Sequence, residues 1–202
     1  MYIPKHFEAP DATAVRDLID RYAFGVLAST RDGRIDVSHV PFLRIGDEQL
    51  LCHLARSNPQ AALADGERVA AIFTGPHAYV SPSWYAVPGV PTWNYAAVQV
   101  HGDATTFTDR QRLRELVETL AGVYEAAEWE PWTPRYAPAM LDHIVGIEIR
   151  VCEIESKFKL SQNRAATDRL RVIDALHARR TENGARVAAL MTSALPATDD
   201  AT

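Results

Sequence analysis

The sequence predicts a mainly β protein, an antiparallel β-barrel with helices at its periphery. Several short segments with strand-like apolar patterns follow one another and are separated by turn residues. Helical periodicity is restricted to segments at the ends of the chain and between strands. The regular alternation of strand and helix that is typical of a parallel sheet is missing, and 202 residues suffice for one domain with its own core.

The first half of the chain is expected to form a helix followed by hairpin-connected strands. The Asp32-Gly33 pair is a hairpin signal. Asn58 followed by Pro59 predicts the start of a short helix, because Asn is a favoured N-cap and proline a favoured first helical residue. The predicted elements are a helix over residues 12–22 and strands over 24–30, 35–45, 49–55 and 68–74.

Residues 73–102 are the most informative segment of the chain. They include two Trp, three Tyr, two His and four Pro. Pro and Gly interrupt helices and fix turns, so this segment is expected to form a long loop. Disordered segments are poor in aromatic residues, and long ordered loops are usually functional. We therefore expect a rigid aromatic loop that binds a flat partner or forms an interface.

The second half is expected to contain two further strands and several helices. Thr108 and Gln111 have the spacing of a capping box that opens a helix. The apolar face of that helix is formed by Leu113, Leu116, Val117, Leu120 and Val123. The other predicted elements are strands over 98–107 and 145–151 and helices over 164–180 and 185–192. The predicted organisation is a barrel domain over 1–163, a helical extension over 164–195 and a disordered tail over 196–202.

Composition and short motifs exclude several classes of function. The net charge of −5 at pH 7 argues against a general polyanion-binding protein, which would carry a basic excess. The two Cys form neither a zinc motif nor a disulfide framework, and the seven His show no metal-binding spacing. No signal peptide or membrane-spanning run is recognised, so we expect a cytoplasmic protein with reduced thiols. No spacing identifies catalytic residues.

A strand-to-helix junction follows His53 and contains Arg56, Ser57 and Asn58. Free backbone N–H groups at a helix N-terminus bind anions, and an arginine adds a bidentate phosphate partner. The junction is therefore a candidate phosphate site. The alternative is that Asn58 only caps a helix and Arg56 is solvated.

Two further groups of residues are candidates for a cofactor site. Ser38 and His39 lie in a predicted strand, where the His either has a structural hydrogen bond or faces a cofactor. The second group is the aromatic cluster formed by Trp84, Trp93, Asn94 and Tyr95. This cluster either stacks on a planar cofactor, closes the end of a barrel or forms a dimer interface, where Trp and Tyr are enriched.

Residues 157–164 combine cations and amides directly after the last predicted strand. Lys157, Lys159 and Arg164 are candidates for contacting a phosphate, and Gln162 or Asn163 for contacting the edge of a heterocycle. The alternative is a plain helix N-terminus with Ser161 as its cap. The following helix is rich in arginine but amphipathic, so it either lies on DNA or packs on the protein surface.

Taken together, these segments resemble the PaiB family, also called FMN-binding negative transcriptional regulators. The matching stretches occur in the order of that family. They are M-Y-I-P-K-H-F at residues 1–7, H-V-P-F at 39–42, H-L-A-R-S-N-P at 53–59, G-P-H-A-Y-V-S-P-S-W-Y at 75–85, V-P-T-W-N-Y-A-A-V at 90–98 and K-L-S-Q-N at 159–163.

The resemblance implies an antiparallel split β-barrel that binds FMN and forms a homodimer, with the flavin held between the two subunits. It implies a role in transcription and, at the level of the family, specific operator DNA as a partner. The implied cofactor-binding residues are Ser38, His39, His53, Arg56, Ser57, Asn58, Trp84, Trp93, Asn94, Tyr95, Lys159, Ser161, Gln162 and Asn163.

One position departs from the family pattern. The motif N-Y-x-A-V is commonly followed by His, whereas this chain has Gln99, with His101 two residues later. Strand periodicity places both side chains on one face. Two alternatives to a regulator stay open because a fold does not fix a function. One is a flavin-dependent oxidoreductase, and the other is a haem-binding or haem-degrading protein with His39, His53 or His101 as axial ligand.

Overall fold

The structure is a computed structural model that describes residues 1–63, 65–125 and 137–195. Its strands are β1 (Phe24–Arg31), β2 (Arg34–Pro41), β3 (Leu43–Ile45), β4 (Gln49–Ala55), β5 (Glu67–Val80), β6 (Thr92–Phe107) and β7 (Ile144–Lys159). Its α-helices are α1 (Ala12–Arg21), α2 (Arg110–Tyr124), α3 (Ala137–Leu141), α4 (Ala166–Ala178) and α5 (Glu182–Ser193). Short 3₁₀ turns span Lys5–Phe7, Pro59–Ala62 and Pro82–Trp84.

The strands form one seven-stranded sheet in the order β2-β1-β5-β6-β7-β4-β3. The pairs β1–β2, β1–β5, β3–β4 and β4–β7 are antiparallel. The predicted mainly β fold with an antiparallel sheet is therefore confirmed. Among the described residues, no helix combines the length and the apolar character needed to cross a lipid bilayer.

The predicted elements of the first half are largely confirmed. The helix over 12–22 is α1, the strand over 49–55 is β4, and Asn58 caps the 3₁₀ turn that begins at Pro59. The single strand predicted over 35–45 is wrong, because it is divided into β2 and β3. The break occurs at Phe42, whose N–H donates to the carbonyl of Ala23 at 2.8 Å.

The long aromatic loop predicted over 73–102 is wrong. Strand β5 continues to Val80 and β6 begins at Thr92, so the connection between them spans only residues 81–91. Exposure along the start of β6 alternates, with Trp93 exposed and Asn94 buried. This period of two is the signature of a strand, and the prediction missed it because Pro and Gly were taken as stop signals.

Two predicted helix starts are displaced. Asp109, not Thr108, is the N-cap of α2, since its side chain accepts the N–H of Arg112 at 2.9 Å. Val123 does not belong to the buried face of α2 because it is 57% exposed. Ser161 is not a helix cap, because α4 begins at Ala166 after the N-cap position of Ala165.

The chain divides into two compact units. The first unit comprises Met1–Leu18, Thr74–Val98 and the chain from Ser156 onward. The second unit comprises Ile19–Phe73 and Gln99–Glu155. The division of the sequence into a domain over 1–163 and a helical extension stays a prediction, and the predicted disordered tail over 196–202 lies outside the described residues.

The second unit contains both cysteines in contrasting environments. Cys52 lies in β4 and is fully buried, and this burial raises the pKa of its thiol to about 12. Cys152 lies in β7 and is exposed. The two thiols are free.

A hydrophobic cluster in the second unit depends on a glycine. The cluster is formed by Phe107, Leu113, Leu116, Leu120 and Leu141. A Cβ atom on Gly146 would lie 2.2 Å from Cζ of Phe107, far inside van der Waals contact. Gly146 therefore allows the Phe107 ring to lie directly on β7.

We predict that Gly146→Ala lowers the free energy of unfolding by about 1–3 kcal/mol, because the packed Phe107 ring has to move. Urea unfolding followed by circular dichroism measures this change. Gly122→Ala in α2 is the matched control, since among the described residues no atom beyond its chain neighbours and its own helix backbone lies within 4 Å of the added Cβ. This control should be stabilised by about 0.5–1 kcal/mol because alanine is the better helix former. Equal effects of the two substitutions would contradict the packing role of Gly146.

Candidate functional site

In the second unit, the junction after β4 is fixed by Asn58. The Asn58 side chain accepts the N–H of Gln60 at 2.9 Å and donates from Nδ2 to Oγ of Ser38 at 3.0 Å. Two of the predicted site residues, Ser38 and Asn58, are thus in direct contact. The buried Gln60 donates from Nε2 to Oγ of Ser29 at 2.9 Å, which anchors the junction to the β1–β2 hairpin.

Arg56 follows β4 directly and is held by backbone carbonyls. Its Nε donates to the carbonyl of Asp142 at 2.9 Å and its Nη2 to that of Ile144 at 3.5 Å. Its backbone N–H donates to the carbonyl of His143 at 2.8 Å. The guanidinium is exposed, so it is oriented by the start of β7 while remaining accessible to an anion.

Several backbone N–H groups of this junction, which sequence analysis expected to be free, are used within the chain. The Asn58 N–H donates to the carbonyl of Ala55 at 2.9 Å, the Gln60 N–H is used by the Asn58 side chain, and Pro59 has no N–H. The Pro59–Ala62 element is also a 3₁₀ turn of four residues and not an α-helix. The predicted phosphate contact therefore rests on the side chains of Arg56 and Ser57, and it stays a prediction.

The two candidate histidines of the second unit differ in environment. His53 lies in β4 opposite Gly146, and its Nδ1 is buried without a hydrogen-bond partner among the described residues. Burial lowers the pKa of His53, so the ring is neutral at pH 7. His39 is exposed on β2 and stacks on Phe24 with ring centroids 6.4 Å apart.

Gln99 and His101 are both half-buried on β6, as the strand periodicity predicts. His101 Nε2 lies 3.2 Å from Oε2 of Glu155, so a carboxylate orients the ring.

In the first unit, aromatic side chains line up on the outer face of β5 and β6. The Trp93 ring lies 6.2 Å from that of His77 and 6.1 Å from that of Tyr79, and Trp93 is 52% exposed. We call the surface formed by Tyr2, His77, Tyr79, Trp93 and Tyr95 the aromatic shelf. The accessible face of Trp93 within this surface is suited to stacking on a flat molecule.

Two lysines of β7 border the aromatic shelf. The Lys157 ammonium lies 5.6 Å from the ring centroid of Tyr2 and 5.8 Å from that of Tyr95, and it donates to the carbonyl of Tyr2 at 2.8 Å. Lys159 donates to Oγ1 of Thr92 and, at 2.6 Å, to the carbonyl of Trp93. Desolvation and the neighbouring charge of Lys157 lower the pKa of Lys159.

Asn94 and Ser161 form a buried pair beneath the aromatic shelf. Asn94 Nδ2 donates to Oγ of Ser161 at 2.9 Å, and the Ser161 hydroxyl donates to Oδ1 of Asn94 at 3.1 Å. Asn94 Nδ2 also lies 3.3 Å from Sδ of Met191 in α5. Both residues are buried, and the polar groups of each are used by the other. The pair therefore indicates a structural role in β6, the strand that carries Trp93, more directly than it indicates a contact with a ligand.

The remaining residues of the K-L-S-Q-N stretch differ in accessibility. Gln162 closes the end of β7, since its Oε1 accepts the Leu160 N–H at 2.6 Å and its Nε2 donates to the carbonyl of Phe158 at 2.5 Å. Asn163 is exposed. The predicted contacts of these amides with a heterocycle stay predictions.

Trp84 lies on the short connection between β5 and β6, where α4 holds the chain in place. The Arg179 guanidinium lies 5.0 Å from the Trp84 ring centroid, and that of Arg164 lies 4.4 Å from the Tyr85 ring centroid. The buried carboxylate of Asp168 accepts the N–H of Ala86 at 2.7 Å. Trp84 is therefore engaged with α4, and its predicted cofactor contact stays a prediction.

Sequence analysis left Tyr2, His77 and Lys157 out of the implied site. The spacing of two residues between His77 and Tyr79 on β5, and between Lys157 and Lys159 on β7, would have included His77 and Lys157, whereas Tyr2 lies on neither strand. Within the described part of the chain, no group of three or more His, Cys, Asp or Glu residues is arranged to hold a metal ion.

The chain is similar to known proteins in sequence and in fold. Residues 1–153 match the family described as "Putative FMN-binding domain". Over 200 residues, the chain is 35% identical to "Protease synthase and sporulation protein PAI 2" of Bacillus subtilis (strain 168), with 95% of this chain and 96% of that protein covered.

Two solved structures share the fold at low sequence identity. The flavocytochrome Anf3 from Azotobacter vinelandii superposes with a TM-score of 0.63 at 15% identity, covering 78% of this chain and 72% of that chain. The FAD and heme binding protein from Mycobacterium smegmatis superposes with a TM-score of 0.61 at 18% identity, covering 80% and 78%. The chain therefore belongs to the PaiB-like family of FMN-binding proteins with the split-barrel fold.

Proposed function

We propose that this chain is a homodimeric, FMN-binding regulator of transcription in which the flavin acts as a sensor. The observation that carries the proposal is the aromatic shelf bordered by Lys157 and Lys159, in a chain that belongs to an FMN-binding family. A bound flavin supplies reversible electron transfer, so its oxidation state can report on the redox state of the surroundings.

The described residues offer each kind of group that FMN requires. Within the first unit, the aromatic shelf offers an apolar surface for a ring system, and Lys157 and Lys159 offer cations. Within the second unit, taken by itself, Arg56 and Ser57 offer a cation and a hydroxyl group for a phosphate. The buried Nδ1 of His53 has no partner among the described residues and is thus available to a ligand group.

The regulatory part of the proposal is supported by the relative named "Protease synthase and sporulation protein PAI 2", which the chain matches over nearly its whole length. We infer that regulation acts through a specific operator and not through general affinity for nucleic acid. A cytoplasmic location follows from this role.

A second candidate is a protein that binds haem, alone or together with flavin. Both solved structures described above are named for proteins that carry the two cofactors, a flavocytochrome and an FAD and heme binding protein. In this chain, His53 offers a neutral ring nitrogen, whereas His101 already contacts Glu155.

The absorption spectrum of the purified protein, before and after addition of FMN or haem, tests these proposals. Saturable flavin bands at a ratio of one FMN per chain would support the proposed function. A Soret band without flavin affinity would favour the second candidate, and neither signal would contradict both. Consumption of NADH or NADPH by the FMN complex without any operator binding would instead point to an oxidoreductase.

We predict that Arg56→Ala weakens FMN binding about 10- to 100-fold, because hydrogen bonds to a charged group contribute roughly 1.5–3 kcal/mol. Fluorescence titration with FMN and with riboflavin measures this effect. Riboflavin is the control ligand, since it lacks the phosphate that Arg56 would contact. Equal losses for the two ligands would contradict the phosphate assignment and indicate that the contacts of Arg56 with Asp142 and Ile144 are the ones that matter.

We predict that the outer face of the β1–β2 hairpin forms the homodimer interface. The register places Ile35 and Val37 on one face with Phe24, and the three side chains are 68%, 54% and 68% exposed. An exposed apolar face of this kind commonly marks an interface. Val37→Glu should raise the dimer dissociation constant at least about tenfold, since a charge without a partner would be buried.

Sedimentation equilibrium of wild type and variants tests the interface. Val123→Glu is the matched control, because it adds the same charge at an exposed valine on α2. A stable wild-type monomer of 22.4 kDa at micromolar concentration would contradict the homodimer. A dimer that responds equally to both substitutions would contradict the proposed face.

We predict that the chain binds random duplex DNA only weakly, with a dissociation constant above about 10 μM at 0.15 M salt. Nonspecific binding needs a cluster of accessible cations. In the arginine-rich helix α4 and its flanks, Arg169 is buried and donates to the carbonyl of Ala194, while Arg164 and Arg179 lie on aromatic rings.

Fluorescence anisotropy with random and native promoter DNA measures the dissociation constant for each kind of DNA. Arg171→Gln and Arg180→Gln, which replace two of the three exposed arginines of the group, should leave weak binding unchanged. Micromolar affinity with a steep salt dependence that disappears in these variants would show that the helix is a DNA-binding surface.

A further inference from the structure

Lys157 is placed between two aromatic rings of the first unit. Its ammonium group lies 5.6 Å from the ring centroid of Tyr2 and 5.8 Å from that of Tyr95. Its hydrogen bond to the carbonyl of Tyr2 and the backbone bridge between Glu8 and Lys157 hold the N-terminal segment beside β7. The lysine is therefore fixed at the border of the aromatic shelf and not free to sample solvent widely.

The charge of this lysine pair is not compensated by a carboxylate in the contacts described for it. The partners of Lys157 are a carbonyl and two rings, and those of Lys159 are a hydroxyl, a carbonyl and the Phe7 ring at 5.9 Å. Two ammonium groups two residues apart on one strand face repel each other, and this repulsion decreases when an anion binds nearby.

The choice of lysine is itself informative. Among the 21 Lys and Arg residues, only three are lysines, and two of these border the aromatic shelf. Lysine is a compact point charge, whereas arginine spreads its charge over a planar group that stacks on rings. A lysine at this position concentrates a positive charge at the edge of the aromatic shelf, near the Tyr95 ring.

We propose that Lys157 is the cation that this site directs at the flavin ring, and that it favours the reduced, anionic form of the cofactor. The inference rests on the proposed function, since it requires FMN on the aromatic shelf. Reduction of oxidised flavin by two electrons and one proton leaves one negative charge on the ring system. A fixed ammonium group beside the shelf stabilises that charge and raises the reduction potential.

The reduction potential of bound FMN tests this inference, with dithionite as the electron donor and a redox dye as reference. Lys157→Gln should make reduction less favourable by at least tenfold in its equilibrium constant, which corresponds to about 30 mV for a two-electron couple. Lys157→Arg should retain most of the wild-type potential because it retains the charge. Lys5→Gln is the matched control, as it removes the remaining lysine, which is exposed in the Lys5–Phe7 turn.

Sulfite provides a second readout, because its addition to flavin also places negative charge on the ring. Wild type should bind sulfite at least about tenfold more tightly than free FMN does, measured by bleaching of the flavin band, and this measurement requires no variant. Lys157→Gln should lose that advantage and Lys5→Gln should keep it.

The outcomes separate this inference from the proposed function. If wild type binds no FMN, both are overturned. If FMN binds but the potential and the sulfite affinity are the same in wild type and Lys157→Gln, only the role of Lys157 is overturned. Parallel changes in Lys157→Gln and Lys157→Arg would also overturn it, because Lys157→Arg retains the positive charge that the proposed role requires.

Discussion

The reciprocal hydrogen bonds between Asn94 and Ser161 are the constraint on which the aromatic shelf depends. Both groups are buried, and a buried amide without a partner costs several kcal/mol, so the pair fixes which residues of β6 point inward. Since strand side chains alternate, an inward Asn94 requires an outward Trp93 and Tyr95. A shift of one residue would bury the two rings and expose the amide.

The sequence predicted the short elements of the fold better than the long ones. α1, β4 and the turn at Asn58 follow from local periodicity and capping, and the structure confirms them. The strands β5, β6 and β7 extend well beyond their predicted bounds. Pro76 is buried within β5. Whether a strand accepts a proline depends on the neighbouring strands, and single-residue propensity does not include them.

The implied site residues stay a prediction, and the structure shows which contacts several of them make within the chain. The contact of Ser38 with Asn58 and the accessible guanidinium of Arg56 agree with a binding junction. Asn94 and Ser161 were expected to contact a ligand, and in the structure they form hydrogen bonds with each other. The sequence alone does not reveal which polar side chains form such hydrogen bonds between distant segments. Sequence analysis considered Lys157 only as a phosphate contact, and the structure places its ammonium group near the rings of Tyr2 and Tyr95.

The contrast between the two cysteines gives the chain a natural attachment point. A thiolate is the reactive form, so the buried Cys52, with a thiol pKa of about 12, is protected, whereas Cys152 lies on the surface. Maleimide reagents should therefore attach one fluorophore per chain without any engineered residue. Energy transfer between singly labelled chains would then follow their association in real time at nanomolar concentration.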